Sequence, residues 1–525
     1  MLLAAAPISL ASLAPELILA TVGCVVLLTA QAGSAGVRRA TPWIALAGIV
    51  GAVIVLRLMP VQQSSEMAGG LRFDSFSSFV RISALIFGVV VLLANWVQPR
   101  DEEIGEYFSM LLFSLAGLML AGAASDLLIL FLALELVSIP TYVMVALSRR
   151  NPMAVEGATK YFYLGAMAAA ITAFGFSYLY GVMGTTSLDT DATAKLVRVL
   201  HEPRTPAFWV ASLGVFTSLI GLFFKLAAVP MHFYIADVYH GAAAPVAGLL
   251  GFVPKLAGLA AIFRLLGAMD WPTAGGAMYW TLWIVAAVSM TVGNVLALRQ
   301  SNIKRMLGYS GIAHSGYMLV GVLAGTTGGS MMSDGPAAVM YYVFIYGLAN
   351  LTAFALLGLL RTRGRPCETL RDVAGLLRDA PGPALLMALA MFTLMGLPPT
   401  PGFWGKLSLF GSALAAADTM PVAVEGVVNL QHWTIALVII AVLNSALAAA
   451  YYLRVIAAVL LFENDQPAIP QPREAPLFGA LLCGFLLLIF AFYPRPIMRM
   501  ARQASDTFSP PTATAMQIES EMSER

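Results

Sequence analysis

Five ionisable residues stand where an apolar chain least tolerates charge: Glu135, Lys225, Lys255, His314 and Lys406. Lys225 and Lys255 share one stretch, GLFFKLAAVPMHFYIADVYHGAAAPVAGLLGFVPKL, at 221–256. Lys225 lies about a dozen residues or more inside its apolar run, too deep for its ammonium to reach the membrane surface. Desolvation weakens a lysine's hold on its proton, and a neighbouring carboxylate restores it. A step that changed the Glu135–Lys225 distance would therefore change proton affinity at both. Such a set reads as a path for protons. The plainer alternative is a set of ion pairs that only hold helices together.

Glu135, in LILFLALELVSIPTYV, is read as the only acid deep inside an apolar run. His314 sits among Tyr309, Ser310, Ser315 and Tyr317 in MLGYSGIAHSGYMLVG, a hydroxyl-rich setting suited to ordered water and a relay role. Two weaker candidates accompany these. His232 follows Lys225 by seven residues, on the same face if the helix runs through Pro230. Arg454 is either a relay terminus or a side chain that snorkels to the surface. Arg81 and Arg264 lie near the ends of apolar runs and are expected to snorkel.

These residues need a membrane scaffold. Of the 525 residues, 59% are hydrophobic and 11% charged, against roughly 25% charged in soluble domains. Apolar runs recur along the whole chain, giving an all-α polytopic membrane protein. The runs number fourteen: 13–30, 42–60, 76–98, 105–123, 126–147, 157–181, 207–239, 243–267, 277–298, 303–325, 335–360, 382–416, 431–462 and 475–494. The seventh and twelfth exceed one span and contain proline, so broken helices are expected there. The segment 183–205 is polar and suits a short surface helix, and the last thirty residues read as a disordered tail. Pro15 and Glu16, with no basic segment before them, make the first run a retained helix and not a cleaved signal.

Arginines and lysines concentrate in loops after odd-numbered runs, among them Arg38, Arg39, Arg149, Arg150, Arg299, Lys304, Arg305, Arg361 and Arg363. The positive-inside rule then places both termini outside, with Arg495, Arg499 and Arg502 arguing the other way. A net charge of +2 with no basic stripe excludes a nucleic-acid partner. Cys24, Cys367 and Cys483 match no metal or iron–sulfur spacing, and no glycine-rich nucleotide fingerprint occurs. No cofactor or metal is expected on this chain.

An internal repeat is visible. KYFYLGAMAAAITAF at 160–174 resembles MYYVFIYGLANLTAF at 340–354, and Lys225-Leu226 corresponds to Lys406-Leu407. A shift of five helices is odd, so the copies are inverted, as in transporters. The expected units are an N-terminal three-helix segment at 1–104, a first antiporter-like repeat at 105–268, a second inverted one at 277–462, and the last helix with its tail at 463–525.

The sequence resembles the antiporter-like membrane subunits of respiratory complex I. The matching pieces are ELVSIPTYV around Glu135, FKLAAVPMHFYIADVYHGA around Lys225, the helix with Lys255, SNIKRMLGYSGIAHSGYML around His314, and GLPPTPGFWGKLSLF around Lys406. They run from about 105 to 460. Within the family, the lysine at 406, the absence of a long lateral helix after the fourteenth run, and the opening SLAPELIL single out one member.

The resemblance implies fourteen helices with two inverted five-helix half-channels. It makes Glu135 and Lys225 the coupling pair, Lys255 and His314 the central relay, and Lys406 the exit site. It also implies neighbouring membrane subunits as partners, FMN and iron–sulfur clusters in other subunits, quinone as substrate of the complex, and a bacterial inner membrane. The family's usual Pro-Asp-Val-Tyr-Glu-Gly-Ala-Pro run reads Ala236-Asp237-Val238-Tyr239-His240-Gly241-Ala242-Ala243 here, and its usual serine after Ser310 is Gly311. The rival readings are a multisubunit Na⁺/H⁺ antiporter, a hydrogenase-like or formate-linked proton pump, and an inert scaffold.

Overall fold

The computed structural model describes residues 10–32, 35–58, 67–96, 103–148, 151–202, 205–269, 276–326, 330–419, 430–463, 468–471 and 473–508. Helices α1 (Ala14–Ala32), α2 (Ala35–Leu58) and α3 (Ser75–Asn95) open the chain. Then come α4 (Ile104–Ala123), α5 (Leu127–Leu147), α6 (Pro152–Met183), α7 (Thr190–Leu200), α8 (Pro206–Leu226) and α9 (Ile235–Gly241). The middle holds α10 (Ala244–Leu250), α11 (Val253–Gly267), α12 (Gly276–Leu298), α13 (Ile303–Ala324) and α14 (Gly335–Leu359). The last are α15 (Leu376–Asp379), α16 (Pro381–Met395), α17 (Pro401–Thr419), α18 (Leu430–Leu460), α19 (Glu474–Phe492) and α20 (Arg495–Ser505).

Each of the fourteen apolar runs contains helix among its described residues. Twelve described spans are long and apolar enough to cross a membrane. The two runs outside that set are 303–325, where Lys304, Arg305 and several Gly and Ser dilute α13, and 382–416, which splits into α16 and α17. The chain is a multi-pass membrane protein. Its outer helices expose Leu132, Phe162, Trp209, Ile439, Leu443 and Phe485. That much apolar surface would aggregate in water but matches lipid. The polar segment before α8 does carry a short helix, α7.

The ends of the helices follow local chemistry. Asp74, Asp126, Asn151 and Asn302 accept backbone N–H bonds at the starts of α3, α5, α6 and α13. The strands β1 (Met67–Ala68) and β2 (Leu71–Arg72) turn through Gly69 and Gly70, both at positive φ. A second small sheet has the order β4–β3–β5, from Leu360–Thr362 (β3), Arg365–Pro366 (β4) and Ile469–Pro470 (β5).

Three interruptions shape the interior. α8 stops at Leu226, where Ala227 takes a left-handed φ of 55° and Pro230 has no N–H to continue the ladder. The freed groups find partners: the Tyr234 hydroxyl donates to Phe224 O at 2.9 Å, and Val229 N donates to Ser289 Oγ at 2.9 Å. α16 ends at Gly396, with φ 82°. The third interruption, between α10 and α11 at Gly251–Phe252, falls inside the single apolar run 243–267, although Pro254 in the first turn of α11 marks it. α10, α11 and α14 are buried along almost their whole length and form the centre of the bundle.

The C-terminal expectation needs correction. Residues 495–505 form α20 and 506–508 a 3-10 turn, docked and not disordered. Ile497, Ala501 and Ala504 are buried, and the Phe508 ring meets Phe76 and Phe263. The remainder of the tail lies outside the described residues.

Candidate functional site

Lys225 occupies the last turn of α8, beside the break, and not the middle of a helix running past Pro230. Its Nζ lies 3.5 Å from Glu135 Oε1 and donates to the Ser138 hydroxyl one turn further along α5. Glu135 is 21% exposed. It shares a helix face with Leu128, Leu132 and Ile139, which are all exposed. The pair therefore opens on its outer side to whatever packs against α5.

Lys255 begins the second turn of the interior. It sits in the first turn of α11 and is 1% exposed. Its ammonium donates to Leu226 O at 2.5 Å, Gly311 O at 2.9 Å and Ser315 Oγ at 2.5 Å. All three N–H bonds are used, with no carboxylate among these acceptors. Leu226 O is the terminal carbonyl of α8, so Lys255 caps a broken helix where the macrodipole favours a cation. Each hydrogen bond to a charged group contributes about 1.5–3 kcal/mol, enough in sum to offset an insertion cost of about 2.5–3.5 kcal/mol for a charge at mid-membrane. Gly258 lets α11 approach this closely, since a Cβ there would stand 2.7 Å from Lys225 Cβ.

His314 is sealed between two tyrosines from distant helices. Nδ1 lies 2.7 Å from the Tyr342 hydroxyl and Nε2 2.8 Å from the Tyr452 hydroxyl. A neutral imidazole donates on one side and accepts on the other, so a change of tautomer reverses both bonds. Ser315, next in the chain, is the Lys255 partner.

Lys406 lies in the second turn of α17 and repeats the Lys255 arrangement. Its Nζ donates to Met395 O, the last carbonyl of α16, at 2.8 Å, and to Ser445 Oγ at 2.9 Å. It stands 5.0 Å from the centre of the Tyr317 ring. Lys225 and Lys406 thus flank breaks on opposite sides, one before and one after. Between His314 and Lys406 runs a polar thread that the sequence did not disclose. Tyr451, adjacent to Tyr452, donates to Asn294 Oδ1 at 3.0 Å. Asn294 Nδ2 donates to Asn444 O at 2.9 Å, and Asn444 precedes Ser445.

From Glu135 to Lys406 the five residues are joined by hydrogen bonds and chain neighbours alone. His232 and Arg454 stand apart. α8 does not continue through Pro230, so His232 falls in the turn against Phe233, buried and with no partner at Nδ1 among the described residues. Arg454 is exposed on α18, whereas Tyr451 and Tyr452 are buried.

Arg81 and Arg264 do not snorkel. Both are buried and paired: Arg81 Nε lies 2.7 Å from Glu16 Oε1, and Arg264 forks onto Asp74 at 2.7 and 2.9 Å while also donating to Gly122 O. Glu16 and Asp334 are buried acids as well, but they lie at the starts of α1 and α14, whereas Glu135 lies mid-helix in α5. At the opposite rim, Asp237 binds Lys160 at 2.7 Å and Arg305 at 3.1 Å. Lys304 meets Glu368 at 3.2 Å, and Glu368 lies 3.7 Å from His240. Among the described residues no group of His, Cys, Asp and Glu is placed to hold a metal ion.

The family described as "NADH:quinone oxidoreductase/Mrp antiporter, TM" matches residues 124–453. The chain is 36% identical over 500 residues to the NADH-quinone oxidoreductase subunit N of Trichlorobacter lovleyi, covering 95% of this chain and 97% of that one. A chain in the structure of respiratory complex I from Thermus thermophilus with bound aureothin matches with a TM-score of 0.74 and 28% identity, over 93% of this chain and 99% of that one. A chain of the Mrp complex from Dietzia shares the fold, with a TM-score of 0.75 at 19% identity over 97% of this chain and 100% of its own.

Proposed function

The chain belongs to the family of transmembrane subunits shared by NADH:quinone oxidoreductase and Mrp antiporters, and on that footing we propose that it is subunit N of an NADH-quinone oxidoreductase. It translocates protons while other subunits pass electrons from NADH to quinone. The observation that carries this reading is the row, joined by hydrogen bonds and chain neighbours, from half-buried Glu135 through buried Lys225, Lys255 and His314 to Lys406. Glu135 and Lys225 receive the coupling signal. Lys255 and His314 relay the proton, and Lys406 passes it out. Residues 105–268 and 277–462 form the two inverted half-channels.

The chain carries no redox centre of its own; flavin and iron–sulfur clusters belong to partner subunits. The outer face of α5 around Glu135 is where a neighbouring membrane subunit packs, shielding a carboxylate that lipid would not tolerate. The protein resides in a bacterial inner membrane with both termini on the periplasmic side, as the loop charges direct. The antiporter reading has the shared fold behind it, whereas the sequence relatives favour the quinone-linked complex.

Purification of the tagged chain in mild detergent tests the assignment. Co-purifying flavin, iron–sulfur signals and NADH oxidation by a soluble quinone are expected. A complex without redox centres would contradict it and favour cation exchange.

A further inference from the structure

Tyr346 of α14 is 3% exposed, and its hydroxyl has no hydrogen-bond partner among the described residues. Burying an unpaired hydroxyl is costly, so such a group in the middle of a proton row calls for a use. Its ring stacks at a tilt on His314, with centroids 4.7 Å apart. The Cβ position of Gly311 lies 3.0 Å from the Tyr346 hydroxyl, 3.8 Å from Lys255 Cε and 3.9 Å from Lys255 Nζ. Tyr346 and Lys255 therefore face one small space, kept open by the missing side chain at 311.

The acceptors around Lys255 suit only one of its two states. The ammonium has three N–H groups, and Leu226 O, Gly311 O and Ser315 Oγ take all three. Once the proton has left, the amine has two N–H groups and a lone pair that needs a donor. Backbone carbonyls cannot supply one. The Ser315 hydroxyl is itself directed to Leu226 O at 2.5 Å and Gly311 O at 3.0 Å. Among the described residues, the Tyr346 hydroxyl faces this space with no hydrogen-bond partner.

We propose that Tyr346 is a positioning residue for proton release, donating its hydroxyl hydrogen bond to deprotonated Lys255 across the space left by Gly311. This rests on the proton-relay reading of Lys255. Tyr346 keeps its own proton throughout. The other ionisable groups around the two residues include Lys225 at the end of α8, paired with Glu135 on α5, and His314 on α13, with Tyr239 on α9, Tyr342 on α14 and Tyr452 on α18 beside Tyr346.

The test uses the whole complex reconstituted in vesicles, with acidification measured against NADH oxidation from pH 6 to 9. Tyr346→Phe should lower this subunit's share of proton translocation by about tenfold, the equivalent of one lost hydrogen bond, and alter the pH profile. Adding Gly311→Ser to Tyr346→Phe should restore translocation, because the serine hydroxyl enters the same space. Gly311→Ala, which fills the space from the opposite wall, should reproduce the loss and serves if Tyr346→Phe fails to assemble. An assembled Tyr346→Phe or Gly311→Ala complex with wild-type translocation and pH profile overturns the proposal. A loss that Gly311→Ser does not restore also overturns it, by marking the tyrosine as packing. A wild-type complex that oxidises NADH without acidification would instead sink the relay reading.

Discussion

Lys255 Nζ lies 2.5 Å from Leu226 O, the carbonyl that ends α8, and Lys406 Nζ lies 2.8 Å from Met395 O, the carbonyl that ends α16. Each buried lysine is held by the C-terminal end of an interrupted helix, where partial negative charge collects. The interruptions thus create the binding site for the charge. A continuous helix would have spent these carbonyls on its own ladder.

Gly396 should be indispensable to the second of these sites. It has φ 82°, and a Cβ there would stand 2.9 Å from Lys406 Cδ. Gly396→Ala is expected to destabilise the subunit by about 1–2 kcal/mol and to impair proton translocation. Thermal stability and vesicle acidification measure both, and an alanine variant matching wild type in each would refute the close approach.

Removing the carboxylate of the coupling pair should uncouple the subunit without unfolding it. In Glu135→Gln, Lys225 keeps its bond to Ser138. Assembly is expected to persist, with this subunit's share of the translocation per electron falling by about tenfold, on the scale of general acid–base contributions. Full translocation in this variant would reduce the pair to a helix clamp.

His232 and Arg454 should be dispensable. Neither joins the hydrogen-bonded row. His232→Gln and Arg454→Gln are expected to translocate protons within about twofold of wild type, the range of surface-type changes. A severe loss in either would show that the row is wrongly drawn.

The fold and the site were legible to different depths. Burial makes a mid-membrane lysine conspicuous in any sequence, so Lys225, Lys255 and Lys406 stood out at once. Proline at 230 and in the 398–401 region announced two of the interruptions. The third, at Gly251–Phe252, is marked by Gly251 and by Pro254 at the start of α11, but both sit inside one continuous apolar run, and membrane helices commonly carry Gly and Pro. Partners such as Tyr342, Tyr452, Asn294 and Ser445 come from helices far away in the chain, and no local pattern marks them. Arg264 was misjudged for the same reason, since its acid, Asp74, lies 190 residues away.

That ion pair should matter to stability and not to proton flow. Asp74→Asn breaks a buried pair, at a cost of about 3–5 kcal/mol. Burial alone would raise the Asp74 carboxyl, but the Arg264 guanidinium, the Ser77 N–H and Arg72 outweigh it and hold it below the usual carboxylate range. The stabilisation is therefore present above the unfolded value, near pH ~3.9, and is lost as pH falls through the lower folded value. Melting curves of the purified complex should show an acid limb from this pair in wild type and a weaker one in Asp74→Asn. Equal limbs would contradict it.

The most direct test of the relay is the proton-to-electron ratio of the complex carrying Lys255→Ala, with assembly verified and NADH oxidation monitored alongside. A ratio reduced by this subunit's share, in a complex that still assembles, is the predicted result. An unchanged ratio would mean that Lys255 is only the cap of α8, and that protons do not travel this row.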